Sequence, residues 1–422
     1  MERTYIKEIF EKGKEEKVLV KGWVHETRAL GKVSFLLVRD VTGIIQVVAT
    51  KDNSEFKKMN QSRENVISVS GKVVKSKQAP GGYELAPEKI EVIAEAEQPL
   101  PIDVSDFSKT ELPKRLDYRF LDLHRRRTQA IFKIQSEISM SFREFFKNKG
   151  FMEVHLPSII SAASEGGTEL FPVQYFEKKA FLAQSPQLYK QMLACSVEKV
   201  FTITPVWRAE KHNTIRHLNE SRQMDIEMAF SNQMEVMKEL EEVVKYIISK
   251  VLENCKKELE TLGVKLKVPE AVYLSYEEAI KKVKGKIGED FCPEEEKKLC
   301  EMYPNSIVFT HSWPSSIKPF YIMPKGEKKD SKVSEGFDAL YNGVEISSGG
   351  QRIHIPKLLI ERLKMKKMDP KNFEAYINSF RYGAPPHAGW SIGLERLTTL
   401  MLGLDNIREG CLFPRDRDRL VP

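Results

Sequence analysis

The stretch that decides the fold is FTITPVWRAEKHNTIRHLNESRQMDIEMAF, residues 201–230. In its first part apolar and polar residues alternate as in a β-strand, and Arg208 and Glu210 stand two residues apart. This predicts that both side chains lie on one face of a sheet. A loop rich in polar residues follows. A second alternating run then returns with Asp225 and Glu227 on a shared face. The pattern predicts a β-hairpin that carries charged groups on its working side.

A second decisive stretch is HAGWSIGLERL, residues 387–397, in which Gly393 precedes a helical spacing of leucines that ends at Gly403. Arg396 is therefore predicted to lie near the start of a helix. The planar guanidinium donates hydrogen bonds in pairs and keeps its charge, so Arg208 and Arg396 suit phosphate oxygens. For an isolated Arg-X-Glu sequence a structural ion pair is the simpler interpretation. The combination of both stretches favours a nucleotide site.

Composition is compatible with this but not specific. The chain has 422 residues, 41% hydrophobic content and a net charge of +7, so it can bury a large core in two or three domains and is mildly basic. The five cysteines form no CxxC pair, which argues against a zinc site and a disulfide framework. No long apolar run occurs. We expect a soluble, cytoplasmic protein with no membrane contact.

The chain is predicted to be organised in two domains. Short alternating runs recur over residues 18–93 and predict a five-stranded antiparallel barrel of the oligonucleotide-binding type, with a helical element between the third and fourth strands. We assign 1–100 to this barrel, the proline-punctuated 101–127 to a hinge, and 128–422 to a catalytic domain. Within that domain the composition of residues 268–302 predicts a charged, mostly helical surface insertion.

A third segment, FREFFKNKGFMEVHLPSII at residues 142–160, completes a resemblance. The three segments resemble motifs 1, 2 and 3 of the class II aminoacyl-tRNA synthetases and occur in the family's order. The resemblance implies an α/β (α+β) protein, with an oligonucleotide-binding (OB-fold) barrel followed by a catalytic domain built on an antiparallel β-sheet flanked by helices. It also implies a homodimer that uses the motif 1 helix, activation of an amino acid by ATP as substrate, and transfer to tRNA.

The same resemblance assigns the ATP and metal sites. Arg208 and Arg396 correspond to the catalytic arginines. The implied ATP-binding residues are Arg208, Glu210, Arg216, His217, Glu345, Gly393 and Arg396. The implied ligands of Mg²⁺ are Asp338, Glu345 and Ser348, whose hard oxygen donors suit this ion. Ser221 is a departure, because several relatives have an aromatic residue there that stacks on adenine.

The amino acid is indicated by LAQSPQLYKQ, residues 182–191, where Gln187 and Lys190 lie on one helix face. This string resembles the aspartyl enzymes, in which the lysine and an arginine matching Arg352 bind the substrate's side-chain carboxylate. With asparagine bound, part of the positive charge of the two buried cations would stay uncompensated, at a cost of several kcal/mol. This favours L-aspartate as the substrate. The implied aspartate-binding residues are Glu165, Gln187, Lys190, Arg208, Asp225, Ser348 and Arg352.

The barrel carries the anticodon assignment. Phe35 matches an aromatic residue that stacks an anticodon base, while Arg28 and Gln46 match groups that read the central uridine. His25 and Pro80 stand where strict archaeal enzymes have Trp and Lys. The resemblance therefore predicts a non-discriminating enzyme that charges both tRNA(Asp) and tRNA(Asn), and that is functionally linked to an Asp-tRNA(Asn) amidotransferase.

Three alternatives stay open. A strictly discriminating aspartyl-tRNA synthetase differs only at the anticodon loops. An asparaginyl enzyme is disfavoured by Lys190. A non-charging RNA-binding paralogue, or one that makes free asparagine, is disfavoured by the intact set of Arg208, Glu210 and Arg396.

Overall fold

The computed structural model describes residues 1–161 and 170–422, and of Pro80 only the backbone. The chain divides into two compact units, Met1–Asp103 and Val104–Pro422. Of the helices in the described ranges, none combines the length and apolarity needed to cross a bilayer. Glu165, a predicted aspartate-binding residue, lies outside the described residues.

The first unit is a closed five-stranded barrel with strand order β1-β2-β3-β5-β4. Alternate residues of each strand point inward and are buried, as in the pattern of β2, where Leu36 and Val38 enter the core. The elements are α1 (Ile6–Lys12), β1 (Lys17–Leu30), β2 (Val33–Arg39), β3 (Ile44–Thr50), β4 (Val66–Lys75) and β5 (Tyr83–Ala94). The helical element expected between the third and fourth strands is one 3-10 turn, Phe56–Met59.

The second unit is built on an eight-stranded sheet of order β12-β13-β14-β15-β16-β11-β10-β6, antiparallel except for its two outermost pairs. A small sheet of order β7-β9-β8 lies apart from it. The strands are β6 (Met152–Glu153), β7 (Ile159–Ile160), β8 (Pro172–Tyr175), β9 (Lys178–Leu182), β10 (Lys199–Trp207), β11 (Glu220–Ala229), β12 (Glu270–Ser275), β13 (Ser306–His311), β14 (Gly336–Tyr341), β15 (Val344–Gln351) and β16 (His387–Gly393).

Helices cover this sheet. The main core lies where α4 (Arg126–Asn148), α6 (Gln233–Asn254) and α12 (Leu394–Leu402) pack their apolar stripes on the sheet. It surrounds the buried Phe142, Phe146 and Trp390. The helices are α2 (Leu112–Asp117), α3 (Arg119–Asp122), α4 (Arg126–Asn148), α5 (Gln187–Val197), α6 (Gln233–Asn254), α7 (Lys256–Leu262), α8 (Tyr276–Val283), α9 (Pro293–Met302), α10 (Pro356–Met365), α11 (Glu374–Arg381) and α12 (Leu394–Leu402). The predicted fold class is confirmed.

Two organisational predictions need correction. Most of the expected hinge, 101–127, belongs to the second unit, where α3 buries the ion pair of Arg119 with Asp122 (2.7 Å). The expected surface insertion, 268–302, is not wholly helical, because β12 pairs in parallel with β13 and extends the main sheet. The charged helices on either side of β12 concealed its short alternating pattern.

Candidate active site

The predicted hairpin is formed by β10 and β11, which pair in antiparallel register from Lys199–Met228 to Trp207–Glu220. The sequence pattern predicted that Arg208 and Glu210 lie on the face of this strand. That placement is corrected, because β10 ends at Trp207 and both residues lie just beyond it. Asn219 holds the base of this loop, since its side-chain amide donates to the carbonyl oxygens of Arg208 (2.7 Å) and Glu210 (2.9 Å). The loop over 208–219 thus leaves the sheet in a defined direction.

A cleft of about 340 Å³ opens above this hairpin and β15. It gathers most of the predicted residues, although they come from distant parts of the chain. Those that line it are Gln187, Arg208, Glu210, Arg216, His217, Asp338, Glu345, Ser348, Arg352, Gly393 and Arg396. Lys190 and Asp225 do not line it but are buried immediately below.

Cations dominate one end of the cleft. Arg208 approaches Glu210 at 3.8 Å and is half exposed, while Arg396, in the first turn of α12, donates to the carbonyl oxygen of Glu345 (3.0 Å). His217 Nδ1 lies 2.6 Å from the Thr214 hydroxyl. Burial lowers the pKa of His217, and the positive charge of Arg396 lowers it further, against the opposing effect of Glu210. This end can accept a polyanion.

Arg352, which lines the cleft, belongs to a buried charge quartet with Lys190, Asp225 and Glu227. Lys190, on the first turn of α5, donates to Asp225 Oδ1 (2.7 Å) and to the carbonyl oxygen of Trp390 (3.2 Å). Arg352 donates through Nε to Glu227 Oε1 (2.9 Å) and through Nη2 to Oε2 (3.4 Å). All four side chains are at most 3% exposed.

The quartet corrects the charge argument made from the sequence. Two cations face two carboxylates, so the formal charges already cancel and the two cations alone do not require an anionic substrate. The sheet is shaped for this arrangement at Gly389, where a Cβ atom would stand 2.3 Å from Glu227 Oε2. A glycine is therefore needed beside that carboxylate.

The residues predicted to bind Mg²⁺ meet across β14 and β15, where Asp338 pairs in register with Ser348. Both carboxylate oxygens of Asp338 accept from the buried ammonium of Lys318, one at 2.6 Å. Burial raises the pKa of Glu345, and the negative charge of Asp338 raises it further. Within the described ranges no three acidic, imidazole or thiol groups could hold a metal ion by themselves. Mg²⁺ usually keeps waters and substrate phosphates with one or two carboxylates, so the donor set fits.

Two buried amides in the cleft have unused hydrogen-bonding capacity. Gln187 Nε2 and Gln223 Oε1 have no hydrogen-bond partner in the part of the chain that the structure describes. An unpaired buried polar atom costs about 1–3 kcal/mol, so both atoms favour a polar ligand. At the position of Ser221 the cleft wall is a small hydroxyl, and Ser221 therefore offers no ring for adenine.

In the barrel, the three predicted anticodon residues share the outer face. Arg28 lies opposite Phe35 in the β1–β2 register, and Phe35 lies opposite Val48, two residues from Gln46. Phe35 is half-buried while its neighbours Leu36 and Val38 fill the core, so its ring is not part of the barrel interior. Glu26 accepts two hydrogen bonds from Arg28 (3.1 and 2.9 Å) and orients it.

The two predicted discrimination positions occupy irregular backbone. His25 stands at a β-bulge, because the β1–β2 register shifts between Val24 and Glu26. The carbonyl oxygen of His25 accepts from Arg63 Nε (3.1 Å). Pro80 begins a 3-10 turn, Pro80–Gly82, just before β5.

Comparison with known families decides the identity. Residues 111–417 match the family described as tRNA synthetases class II (D, K and N), and residues 18–93 match the OB-fold nucleic acid binding domain. The chain belongs to the class II tRNA synthetases. The synthetase is 47% identical to the aspartate–tRNA(Asp/Asn) ligase of Methanocaldococcus jannaschii, over 96% of this chain and 95% of that protein.

Other relatives share this full-length similarity. The aspartate–tRNA(Asp) ligase of Pyrococcus horikoshii is 48% identical, with 99% of both chains covered. Among solved structures, the asparaginyl-tRNA synthetase of P. horikoshii complexed with asparaginyl-adenylate superposes with a TM-score of 0.95 at 35% identity, covering 100% of both chains. The synthetase thus resembles enzymes named for both amino acids.

Four residues in or beside the synthetase's cleft were not assigned from the sequence. Glu227 was placed on the same face as Asp225 but given no role, and it is the partner of Arg352. Extending the same alternation one step back would have found Gln223. Lys318 gave no local signal, because its partner Asp338 is 20 residues away on another element. Asp290 also lines the cleft, although its segment was expected to be a surface insertion.

Proposed function

We propose that the synthetase is an aspartate–tRNA ligase that activates L-aspartate with ATP and transfers it to the 3′ end of tRNA(Asp) and tRNA(Asn). The choice of aspartate as the amino acid depends on the hydrogen bonds of the Arg352 guanidinium. Glu227 holds its Nε and Nη2 from behind, whereas Nη1 has no hydrogen-bond partner among the described residues of the cleft that Arg352 lines. A fixed guanidinium edge of this kind matches a carboxylate.

We infer the remaining amino-acid contacts partly from this geometry and partly from the family resemblance. Asp225 already accepts from Lys190 and from the Ser391 hydroxyl (3.0 Å), and a carboxylate can accept further hydrogen bonds, so it receives the substrate's ammonium. Gln187 supplies its unpaired amide to the same substrate. Glu165 and Ser348 complete the proposed aspartate site on the basis of the family resemblance. The α-carboxylate then faces the cationic end of the cleft.

The chain's own groups act by positioning and charge. Arg208 holds the α-phosphate that the aspartate carboxylate attacks, while Arg216, Arg396 and His217 hold the pyrophosphate end, which leaves. Glu210 orients Arg208, and the small Gly393 precedes the helix of Arg396. The adenylate is then attacked by the terminal ribose hydroxyl of tRNA, and AMP departs. No protein nucleophile is required.

Mg²⁺ is the proposed metal ion and would neutralise charge on the triphosphate. Glu345 and Ser348 would hold it, with Asp338 sharing its carboxylate between the ion and Lys318. This division is supported by the hard oxygen donors and by the raised pKa of Glu345, which burial causes and the neighbouring Asp338 carboxylate increases.

The anticodon is proposed to bind the outer face of the barrel, with Phe35 stacking on one base and Arg28 and Gln46 donating to another. His25 and Pro80 leave the third anticodon base without a large ring or a long cation, and several relatives with this full-length similarity are named as tRNA(Asp/Asn) ligases. Aspartyl-tRNA(Asn) made in this way is the substrate of an amidotransferase. We place the reaction in the cytoplasm, where such an enzyme serves translation.

A homodimer is also proposed. Its support is the motif 1 segment, where α4 and the strands after it expose Met140 (58%), Met152 (51%) and Ile159 (46%). Exposed apolar side chains grouped on one segment favour a protein–protein contact. Sedimentation at micromolar concentration checks the stoichiometry, and a monomeric species would contradict this part of the proposal.

Pyrophosphate exchange tests the amino acid directly. We expect exchange with aspartate and at least about 100-fold less with asparagine, since a buried donor site rejects a mismatched ligand strongly. An asparagine-dependent signal without an aspartate signal would instead favour an asparaginyl enzyme. Arg208→Ala and Arg396→Ala should lose exchange but keep tRNA affinity, and Arg381→Ala, which removes a surface pair on α11, is the matched control.

Two tRNA transcripts that differ only in cytidine or uridine at the third anticodon base test the relaxed specificity. We expect kcat/KM values within about tenfold of each other, because His25 and Pro80 supply neither the large ring nor the long cation that would select one base over the other. A loss of several orders of magnitude with uridine would establish a strict enzyme.

A further inference from the structure

The segment that follows α12 lies against the loop that carries the proposed ATP-binding arginines. We call residues 407–419 the strap and residues 208–219 the ATP loop. Two main-chain hydrogen bonds join them: Ile407 N–H donates to the carbonyl oxygen of Ile215 (2.9 Å), and Asn219 N–H donates to that of Arg415 (2.8 Å). The strap is therefore attached near the middle and at the end of the ATP loop.

The side chain of Arg408 also joins the two segments, through three hydrogen bonds. Its Nε donates to Asp416 Oδ2 within the strap (2.5 Å), its Nη1 to the carbonyl oxygen of Thr214 (3.0 Å), and its Nη2 to Asn213 Oδ1 (2.5 Å). Burial raises the pKa of Asp416, but the hydrogen bonds from Arg408 and from the N–H groups of Asp418 and Arg419 outweigh it and lower the pKa overall. One guanidinium thus spans a buried carboxylate and the exposed loop.

The strap is fixed to the body of the second unit by a second arginine. Arg119 is 1% exposed, forms an ion pair with Asp122, and lies over the Phe132 ring at 5.0 Å. Its guanidinium donates to four carbonyl oxygens of the strap backbone, those of Arg408, Glu409, Cys411 and Leu412. The strap therefore has a rigid base.

The ATP loop itself has little packing to hold it. Residues 211–215 are exposed, and the hydrogen bonds that reach them come largely from the strap, including those from Arg417 to the carbonyl oxygen of Lys211 (3.0 Å) and from Asn213 to Asp418. Exposed backbone without apolar contacts opens easily. The position of Arg216 and His217 consequently depends on the strap.

We propose that Arg408 and Asp416 are positioning residues that hold the ATP loop in its nucleotide-binding conformation. The inference rests on the proposed function for its effect on ATP, although the effect on the loop is independent of it. Neither side chain lines the cleft, so neither touches the nucleotide. Their loss should weaken ATP binding through the loop and leave the buried charge quartet unchanged.

The test uses the full-length enzyme and two conservative variants, Arg408→Lys and Asp416→Asn. Lysine keeps the charge, but its compact ammonium cannot span the three acceptors that separate nitrogens of the guanidinium reach. Asparagine keeps the shape but removes the charge. Glu374→Gln, which removes an exposed carboxylate partner of Arg381, is the control. Two quantities are measured: amide hydrogen exchange of peptides covering 209–218 in the free enzyme, and KM for ATP and for aspartate in pyrophosphate exchange.

We expect faster exchange of the 209–218 peptides in both variants and a KM for ATP raised roughly tenfold or more, as for a lost charge-assisted hydrogen bond. KM for aspartate should stay within about twofold. Unchanged loop exchange, or an unchanged KM for ATP, would overturn the proposal. Faster exchange throughout the second unit would also overturn it, because the residues would then be structural. If the wild type shows no aspartate-dependent reaction, the proposed function fails, while hydrogen exchange still decides whether the strap holds the loop.

Discussion

Replacing Lys190 with methionine tests the buried charge quartet most directly. The ammonium lies 2.7 Å from Asp225 Oδ1, and both side chains are at most 2% exposed. In Lys190→Met, Asp225 keeps the Ser391 hydroxyl but loses its cation. Removing one partner of a buried ion pair costs about 3–5 kcal/mol, because the other charge stays buried and unpaired. Methionine fills nearly the same volume, so cavity formation adds little.

The cost should be visible in thermal unfolding of the second unit. A destabilisation of this size lowers Tm by roughly 5–15 °C in a unit of a few hundred residues. Lys281→Met is the matched control, since Lys281 forms an exposed pair with Glu277 and should contribute less than about 0.5 kcal/mol. Aspartate-dependent pyrophosphate exchange should fall by at least about 100-fold in Lys190→Met, because the carboxylates then outnumber the cations around the substrate.

The double variant Lys190→Met with Asp225→Asn provides the decisive measurement. Removing both charges should recover about 2 kcal/mol or more of the stability lost in the single lysine variant, because no unpaired carboxylate remains. Strictly additive losses, or a Lys190→Met variant as stable as the Lys281→Met control, would refute the conclusion that Asp225 neutralises Lys190.

Three further predictions concern other parts of the chain. Burial and Arg396 lower the pKa of His217 in the free enzyme, and bound phosphate should raise it. The affinity for ATP, measured by titration calorimetry, should therefore increase as pH falls through the range in which His217 becomes protonated, and this dependence should vanish in His217→Gln. The hydrogen bonds from Lys58 and from the Ile90 N–H lower the pKa of Glu55, so the stabilisation of the barrel by this carboxylate is present above the ordinary glutamate pKa and is lost as pH falls through the folded-state value. In chemical denaturation experiments the wild-type barrel should be more stable than Glu55→Gln at neutral pH, and the two stabilities should converge below about pH 4. Phe35→Ala should raise KM for tRNA by roughly 5- to 100-fold through loss of base stacking while pyrophosphate exchange stays at the wild-type rate, and an unchanged tRNA KM would contradict the anticodon assignment.

The parts of the fold that follow from local pattern were predictable. Alternation placed Asp225 and Glu227 on one face of β11, and the glycine before a leucine spacing placed Arg396 in the first turn of α12. Both signals depend on residues only two to four positions apart. The side chain of Arg208 was less accurately placed, because the strand that delivers it ends one residue earlier, at Trp207.

The pairings inside the site were not predictable in the same way. Glu227 meets Arg352 across 125 positions, and nothing in either local pattern indicates which charges will neutralise each other. That pairing changed the conclusion about substrate charge. Similarly, β12 is a parallel edge strand between charged helices, and six residues are too few to stand out from that surrounding composition.

The β-bulge at His25 has an evolutionary consequence. On either side of it the residues of β1 are paired with β2, but the register passes over position 25 itself, so no β2 residue faces it in the ladder. A change of side chain there breaks no backbone pairing of the ladder, although it removes the approach of His25 Nδ1 to Arg39 Nη1 (3.5 Å). The barrel can therefore exchange the residue at this position by single mutations without shifting the register of β1 against β2. Relatives of almost identical fold can then diverge in the tRNAs they accept while the remainder of the barrel stays under the same packing constraints.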